Sequence, residues 1–313
     1  MAEKVLMRGS HVIGEAAVRA GCRFYAGYPI TPQNELTEYM SQEGMSYLAA
    51  QELPAVIVNT MRGGPGLGNI APSQGDYFQA TRGGGHGDYR HIVLAPASGQ
   101  ELADLTRRSF DYADKYRTPV MILGDGMMGQ MMEPVEFPEA LDLKEIPSKP
   151  WKLDGAKDRP SRVILSLLLD PAKEEELNWK LVRKYEAIER EITSADTYLT
   201  KDAHMVIIAY GTAARIAKGA VRRVRELGLK VGLMRPITLW PYPKKFLIEM
   251  SRSVKDFLVF EMSTGQMLED VKLSLEGRGR VHFYGRPGGI IPTPDEIAKV
   301  INSLYHRQHL EGS

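Results

Sequence analysis

Thr31 and Arg62 are the two side chains of this sequence best suited to hold a small acid. Thr31 lies in Tyr28-Pro29-Ile30-Thr31-Pro32, where two prolines three apart fix φ and remove two backbone donors. Each proline also pushes the residue before it, Tyr28 and Thr31, toward extended backbone. The hydroxyl of Thr31 is therefore held by a stiff elbow, although a helix-capping threonine in a proline turn satisfies the same pattern. Arg62 opens Gly63-Gly64-Pro65-Gly66-Leu67-Gly68. Its guanidinium can grip a carboxylate through two parallel charge-assisted bonds. Taken alone, a structural arginine fits the position as well.

Two further groups invite chemistry. His86, in Gly83-Gly84-Gly85-His86-Gly87-Asp88, offers an imidazole for acid–base work or a contact that orders its loop. Gly124-Asp125-Gly126 mimics the start of a magnesium–diphosphate motif, but no asparagine occurs between Asn69 and Asn178 to complete it. It reads as a turn at a strand end. The Met pairs 127–128 and 131–132 read as packing or partner contacts.

The elements that must carry these groups alternate. Residues 23–27, 55–60, 91–95 and 119–123 read as strands. Helices are predicted at 10–20, 33–51 and 98–116. Strand–helix alternation argues for a parallel sheet covered by helices, with ligands at the carboxyl ends of its strands. Residues 62–90 have no periodicity and nine glycines, and a loop this long in a compact domain is a functional one. Residues 127–171 are proline-rich and read as a connector, followed by a charged helix within 172–199. A second α/β unit is predicted with strands at 204–209, 230–234, 256–261 and 280–284. Its helices fall at about 212–227, 244–252, 265–275 and 295–304.

Composition narrows the function. A formal net charge of +1 gives no electrostatic case for nucleic acid or anionic membrane. No apolar run approaches membrane-spanning length and no signal-peptide core is present, so a cytoplasmic location is expected. Cys22 is the only cysteine, so neither an internal disulfide nor a four-thiolate cluster can be built from one chain. The seven histidines show no HExxH spacing. The Gly-rich loop is neither G-x-G-x-x-G nor a P-loop, and no G-x-S-x-G elbow occurs. A Rossmann-type NAD oxidoreductase fits the alternation but lacks its fingerprint.

The elbow, Arg62 and the glycine loop together resemble the alpha subunit of 2-oxoacid:ferredoxin oxidoreductases. The resemblance covers nearly the whole chain. Its motifs include Gly21-Cys-Arg-Phe-Tyr-Ala-Gly-Tyr-Pro-Ile-Thr-Pro, Met61-Arg-Gly-Gly-Pro-Gly-Leu-Gly-Asn-Ile and Ala80-Thr-Arg-Gly-Gly-Gly-His-Gly-Asp-Tyr-Arg. Arg235-Pro-Ile-Thr-Leu-Trp-Pro, Phe260-Glu-Met-Ser-Thr-Gly-Gln-Met and Thr31-Pro-Gln-Asn-Glu-Leu look most like the branched-chain, 2-oxoisovalerate type. The 2-oxoglutarate type is the near alternative.

The resemblance implies a thiamine-diphosphate-binding, pyrimidine-type parallel-sheet domain over 1–170, a linking helix over 171–200, and a transketolase C-terminal-like α/β domain over 201–313. It implies CoA-dependent oxidative decarboxylation of a 2-oxoacid with reduction of ferredoxin. Thiamine diphosphate is expected between this chain and a beta subunit, which holds the magnesium. The iron–sulfur cluster also belongs to partner subunits, with gamma and ferredoxin-like delta subunits completing the assembly. By match of motif, Thr31 and Arg62 carry over as substrate-binding residues, and Tyr28, Pro29 and Ile30 as the wall of the cofactor site.

One departure stands out. Tyr39-Met40-Ser41 runs directly into Gln42, where family members carry several tens of residues. The missing piece includes a sheet strand and the glutamate that contacts the aminopyrimidine of thiamine. Glu35, Glu38, Glu43 and Glu52 lie nearby, but none matches the motif, so no catalytic residue is assigned. A catalytically silent scaffold subunit is therefore an alternative to an active one.

Overall fold

The computed structural model describes residues 4–22 and 44–310 apart from 143, 145 and 147, with side chains as far as His306. Tyr28, Pro29, Ile30 and Thr31, the predicted strand at 23–27 and the junction of Ser41 with Gln42 lie outside the described residues.

The chain runs through β1 (Val5–Arg8), α1 (Gly9–Arg19), helical residues 44–50 as the described part of α2, β2 (Ala55–Met61) and α3 (Tyr77–Arg82). It continues with β3 (Ile92–Leu94), α4 (Gly99–Tyr116), β4 (Pro119–Asp125), α5 (Gly126–Gln130), β5 (Met132–Val135) and α6 (Pro171–Ile192). The second half holds β6 (Ala195–Tyr198), β7 (Met205–Ile208), α7 (Gly211–Glu226), β8 (Val231–Pro236) and β9 (Thr238–Trp240). It ends with α8 (Lys244–Met250), β10 (Asp256–Glu261), α9 (Gln266–Leu275), β11 (Arg280–Gly285) and α10 (Pro294–Leu310).

Among the described residues the strands form two larger sheets, in the orders β2-β4-β3-β9 and β11-β10-β7-β8-β6. The pairs β2·β4 and β3·β4 are parallel, as are β7·β8, β7·β10 and β10·β11. The strands β7, β8 and β10 are buried along their whole length, as expected of parallel strands covered on both faces. Each sheet carries one antiparallel edge, β9 on β3 and β6 on β8.

These edges interleave the two halves of the chain. The strand β9 leaves the second sheet after Pro236 and pairs with the first, Leu94 opposite Thr238. The strand β6 precedes residue 201 yet joins the second sheet. The helix α6 is no free tether either. Leu181, Tyr185, Ile188 and Ile192 enter the same core as Ile92, Val120 and Ile122 of the first sheet.

Local chemistry fixes the helix ends. The Oγ of Ser98 accepts from the amide of Glu101 at 3.1 Å, and the Glu101 carboxylate reaches back to the amide of Ala97 at 2.8 Å. This reciprocal bonding is a capping-box arrangement and stops α4 from fraying. Asp170 caps α6 through the amide of Ala172, with Pro171 in the first turn where its missing N–H costs nothing. No helix among the described residues is long and apolar enough to cross a membrane.

Candidate active site

The carboxyl ends of β4, β7 and β10 are tied together by hydrogen bonds of Asp125, Ser73 and Gln74, and the exposed glycine-rich loop that follows β2 leads into them. Arg62 follows β2 directly. Its Nη1 donates to the carbonyls of Leu67 at 2.6 Å and Asn69 at 3.1 Å. The amide of Gly63 donates to Ala71 at 2.8 Å and that of Asn69 to Gly63 at 2.9 Å. The loop is thus closed on its own arginine. Gly68 is required here, because its φ is +53° and a Cβ would run into the Gly63 carbonyl oxygen.

A guanidinium has five N–H donors. The two bonds of Arg62 use Nη1 alone, so the Nε–Nη2 edge is uncommitted among the described residues. That edge is the fork that takes a carboxylate in a bidentate pair. Arg62 therefore has both the structural role and the means for a binding role.

Asp76, which the sequence did not single out for chemistry, stands in the electrostatic reach of Arg62 and accepts from Nδ2 of Asn59 at 3.1 Å. Burial pushes its carboxyl above the ordinary value, with Asn59 and then Arg62 acting against that shift.

Downstream, residues 73–82 bind the loop to the second sheet. Gln74 is fully buried and works as a clamp. Its Nε2 donates to the Tyr210 carbonyl at 2.9 Å, its Oε1 accepts from the amide of Met262 at 2.9 Å, and its own amide donates to the Met262 carbonyl at 2.9 Å. Ser73 Oγ donates to the same carbonyl at 3.1 Å. Tyr77 is buried and donates to Asp270 at 2.5 Å, and Arg82 pairs with the other oxygen of that carboxylate at 2.9 Å. Burial, then the negative charge of Asp270, drives the Tyr77 phenol far above its ordinary pKa, so it stays a donor.

Asp125 does more than end a strand. Its carboxylate accepts from the amides of Met127 at 3.0 Å and Met128 at 3.1 Å, capping α5, and from Thr212 Oγ1 at 2.9 Å. Burial raises its pKa despite those donors. All three bonds fall on Oδ1 and serve the fold, fixing the start of α5 and joining it to α7. Among the described residues no group of three His, Cys, Asp or Glu side chains is arranged to bind one.

The other sequence candidates have bland positions. His86 is exposed, and its carbonyl accepts from Ser46 Oγ. The loop around it is ordered by Tyr89, whose hydroxyl accepts from the amides of Gly84 at 3.2 Å and Gly85 at 3.1 Å. Gly83, at φ +74°, would place a Cβ 2.9 Å from that hydroxyl. Met128 lies in the core, whereas Met127 and Met132 are exposed.

Glu52 is held by Lys180 and, at 3.2 Å, by Lys184 of α6. Burial opposes its charge, but the hydrogen bond from Lys180 and the nearby ammonium of Lys184 outweigh it and hold the pKa below the ordinary value. A carboxylate so committed is not available to a cofactor.

Comparison with known proteins adds the family. Residues 39–201 match the model described as pyruvate flavodoxin/ferredoxin oxidoreductase, thiamine diphosphate-binding, and residues 203–297 match pyruvate:ferredoxin oxidoreductase core domain II. The ketoisovalerate oxidoreductase subunit VorB of Methanothermobacter marburgensis is 40% identical, over 94% of this chain and 96% of its own length. The 2-oxoglutarate synthase subunit KorA of Methanothermobacter thermautotrophicus is 31% identical, over 96% of this chain and 99% of its own length. The alignment with VorB spans 341 positions against the 313 residues here, so part of that relative has no counterpart in this chain. A solved 2-oxoglutarate:ferredoxin oxidoreductase from Magnetococcus marinus, with 2-oxoglutarate, coenzyme A and succinyl-CoA bound, shares the fold. Its TM-score is 0.79 at 21% identity, covering 96% of this chain and 65% of that one.

Proposed function

The chain belongs to the thiamine-diphosphate-binding subunits of the 2-oxoacid:ferredoxin oxidoreductases, and from that premise we propose that it serves CoA-dependent oxidative decarboxylation of a branched-chain 2-oxoacid, 2-oxoisovalerate. The observation that carries the substrate is the higher identity to the ketoisovalerate subunit, 40% against 31% for the 2-oxoglutarate subunit. In the reaction the bond between the carboxylate and the keto carbon breaks and CO2 leaves. The acyl group passes to the thiol of CoA, and the electron pair passes to ferredoxin. Thiamine diphosphate, when bound, supplies the electron sink for that bond cleavage.

This chain's part is to bind and orient. Arg62 takes the substrate carboxylate on its Nε–Nη2 edge, a reading supported by the commitment of Nη1 to the loop. Thr31 holds the carboxylate or keto oxygen beside it, and Tyr28, Pro29 and Ile30 form the wall of the cofactor site. The motif begun at Asp125 does not suit a magnesium–diphosphate site, since no asparagine follows before Asn178 to complete it. One cysteine cannot hold a cluster. The diphosphate, the magnesium and the iron–sulfur cluster accordingly fall to a beta subunit and its gamma and delta companions. Residues 1–170 would serve as the pyrimidine-side unit, 171–200 as the link and 201–313 as the C-terminal-like unit.

A silent scaffold is the second reading. It is favoured by the alignment being longer than the chain and by the binding of Glu52 to two lysines. The deciding assay combines the chain with its companion subunits, thiamine diphosphate, magnesium, CoA and ferredoxin. With the segment of a ketoisovalerate-type relative restored after Ser41, ferredoxin reduction with 2-oxoisovalerate, well above that with 2-oxoglutarate, is the expected result. A preference for 2-oxoglutarate would overturn the substrate, and no turnover with any 2-oxoacid would favour the scaffold.

A further inference from the structure

Asn69, whose carbonyl helps to hold Arg62, is itself tied to the other half of the chain. It bonds through every polar group it has. Its carbonyl accepts from Arg62 Nη1 at 3.1 Å, and its amide donates to the Gly63 carbonyl at 2.9 Å. Its Oδ1 accepts from the amide of Ala71 at 2.9 Å. These bonds shape the glycine-rich loop from within. The last one leaves the loop: Nδ2 donates to the carbonyl of Gly288 at 2.9 Å, 219 positions along the chain, between β11 and α10.

That landing point is anchored to the second sheet. The amide of Arg286 donates to the Glu261 carbonyl at 3.1 Å, at the end of β10, and Arg286 Nη1 pairs with Glu296 of α10 at 2.6 Å. Thr293 Oγ1 accepts from the amide of Glu296 at 3.2 Å and fixes the start of α10. The two loops also approach too closely for a side chain between them. Gly289 has a φ of +95°, and a Cβ there would stand 2.5 Å from Cβ of Ala71 and 3.0 Å from Oδ1 of Asn69. Backbone meets the loop directly, so the contact has none of the slack of a long side chain.

We propose that Asn69 is a positioning residue for substrate binding, which fixes the guanidinium of Arg62 against the second sheet through the Gly288 carbonyl. The proposal rests on Arg62 holding the substrate carboxylate. The strand β2 decides where Arg62 leaves the first sheet, and Asn69 decides how its planar group is turned. With Nη1 donating to the carbonyls of both Leu67 and Asn69, the orientation of the guanidinium plane is fixed, and so is the direction of its Nε–Nη2 edge. A bidentate pair forms only when that edge and the carboxylate share a plane. The path from Glu261 through Arg286, Gly288 and Asn69 to Arg62 thus makes the grip on the acid depend on the register of the two halves of the chain. A guanidinium turned in advance also spares the ordering cost at the moment of binding.

The test is a double-mutant cycle in the assembly with companion subunits, the chain carrying the segment of a ketoisovalerate-type relative after Ser41. Steady-state kinetics with 2-oxoisovalerate give KM and kcat, and calorimetric titration with 2-oxoisovalerate in the absence of thiamine diphosphate gives binding without turnover. Asn69→Ala is expected to raise KM and the 2-oxoisovalerate Kd by about 10-fold, with kcat, thiamine diphosphate affinity and Tm unchanged. Gly289→Ala, which disturbs the same contact from the second sheet, should move KM and Kd in the same direction. Neither substitution should add to the effect of Arg62→Met, because each acts through Arg62. If Arg62→Met raises KM while Asn69→Ala leaves it alone, the proposal falls and the reading of Arg62 stands. If Arg62→Met leaves KM and Kd alone, both fall. Effects that add in the cycle overturn the proposal, as does a fall in kcat and Tm together, which reduces Asn69 to a part of the loop's fold. An effect of Asn69→Ala without one of Gly289→Ala confines Asn69 to its own loop and overturns the tie to the second sheet.

Discussion

The carboxylate of Asp125, at the end of β4, accepts a 2.9 Å hydrogen bond from Oγ1 of Thr212, in the first turn of α7. The bond joins the carboxyl end of one sheet to the helix that follows the first parallel strand of the other, and both residues are buried. Thr212→Val keeps the shape and removes the donor. It is expected to lower stability by about 1–3 kcal/mol, the usual cost of depriving a buried polar group of a partner. The effect should also depend on pH. Burial raises the Asp125 pKa in the folded state above 3.8, so the folded protein binds this proton more readily than the unfolded chain. Stability from this group is therefore greatest below 3.8 and declines as pH rises through the folded pKa. Denaturant titrations of both proteins at acidic and neutral pH measure it, and a smaller loss in Thr212→Val at the acidic end is expected.

Glu52 gives a prediction of the opposite sign. Its folded pKa lies below 4.5 because Lys180 and Lys184 outweigh the cost of burial. The folded protein binds this proton less readily than the unfolded chain, so the stabilisation is present above 4.5 and disappears as pH falls through the folded value. Glu52→Gln leaves Lys184, itself largely buried, without its anion. A loss of roughly 1–3 kcal/mol at neutral pH is expected, shrinking toward zero well below pH 4.5. Equal losses at both pH values would mean that packing, not charge, ties Glu52 to α6.

What the sequence made legible follows from the range of the forces involved. The strands β2, β4, β7, β8 and β10 are near-continuous apolar runs, and their type is a local property. The strands β1, β5, β6 and β9 have three or four residues each, and they are strands only because a distant segment pairs with them. The stretch 62–90 could be recognised as purposeful from its glycines, but the helix α3 within it could not. That helix is settled by Tyr77 and Arg82 meeting Asp270, more than 180 residues away. Asp125 reads locally as a turn for the same reason, since its partner Thr212 is 87 positions distant. Arg62 was visible as a candidate ligand because its charge stands at a strand end. Its second task, holding the carbonyls of Leu67 and Asn69, belongs to the folded loop and has no sequence signature.

Arg62 can be tested through that division of labour. Arg62→Lys keeps a charge but loses the planar fork, and Arg62→Met loses both. With 2-oxoisovalerate as substrate, Arg62→Met is expected to lower kcat/KM by about 10- to 150-fold, corresponding to charge-assisted bonds of roughly 1.5–3 kcal/mol. Thiamine diphosphate affinity should change much less. The comparison is made in an assembly that turns over, whether with the chain as written or with the inserted segment described next. Parallel losses in cofactor affinity and kcat/KM would show that Arg62 acts only by shaping the loop.

The last prediction concerns the join of Ser41 to Gln42. The chain as written, assembled with its companion subunits, is expected to have little or no oxidative decarboxylase activity. Thiamine needs a carboxyl group at its aminopyrimidine before the C2 proton leaves readily, and general acid–base help of this kind contributes about 10²–10⁴-fold. The family's glutamate has no match here, and Glu52 is already bound to Lys180 and Lys184. A second effect acts in the same direction. If, as the resemblance implies, the missing segment carries a strand of the first sheet, its absence alters the frame from which β2 presents Arg62. A misplacement of about 1 Å between binding groups costs on the order of 10²-fold. The measurement compares the chain as written with one carrying the segment of a ketoisovalerate-type relative after Ser41. Both are assayed with the same companions, thiamine diphosphate, magnesium, CoA and ferredoxin. Activity only in the extended chain is the expected outcome, and equal turnover by the two would sink it. A third chain, whose inserted glutamate is replaced by glutamine, separates the causes. If it is as active as the extended chain, the segment matters through geometry; if it is as poor as the chain as written, the carboxyl group is what the join removed.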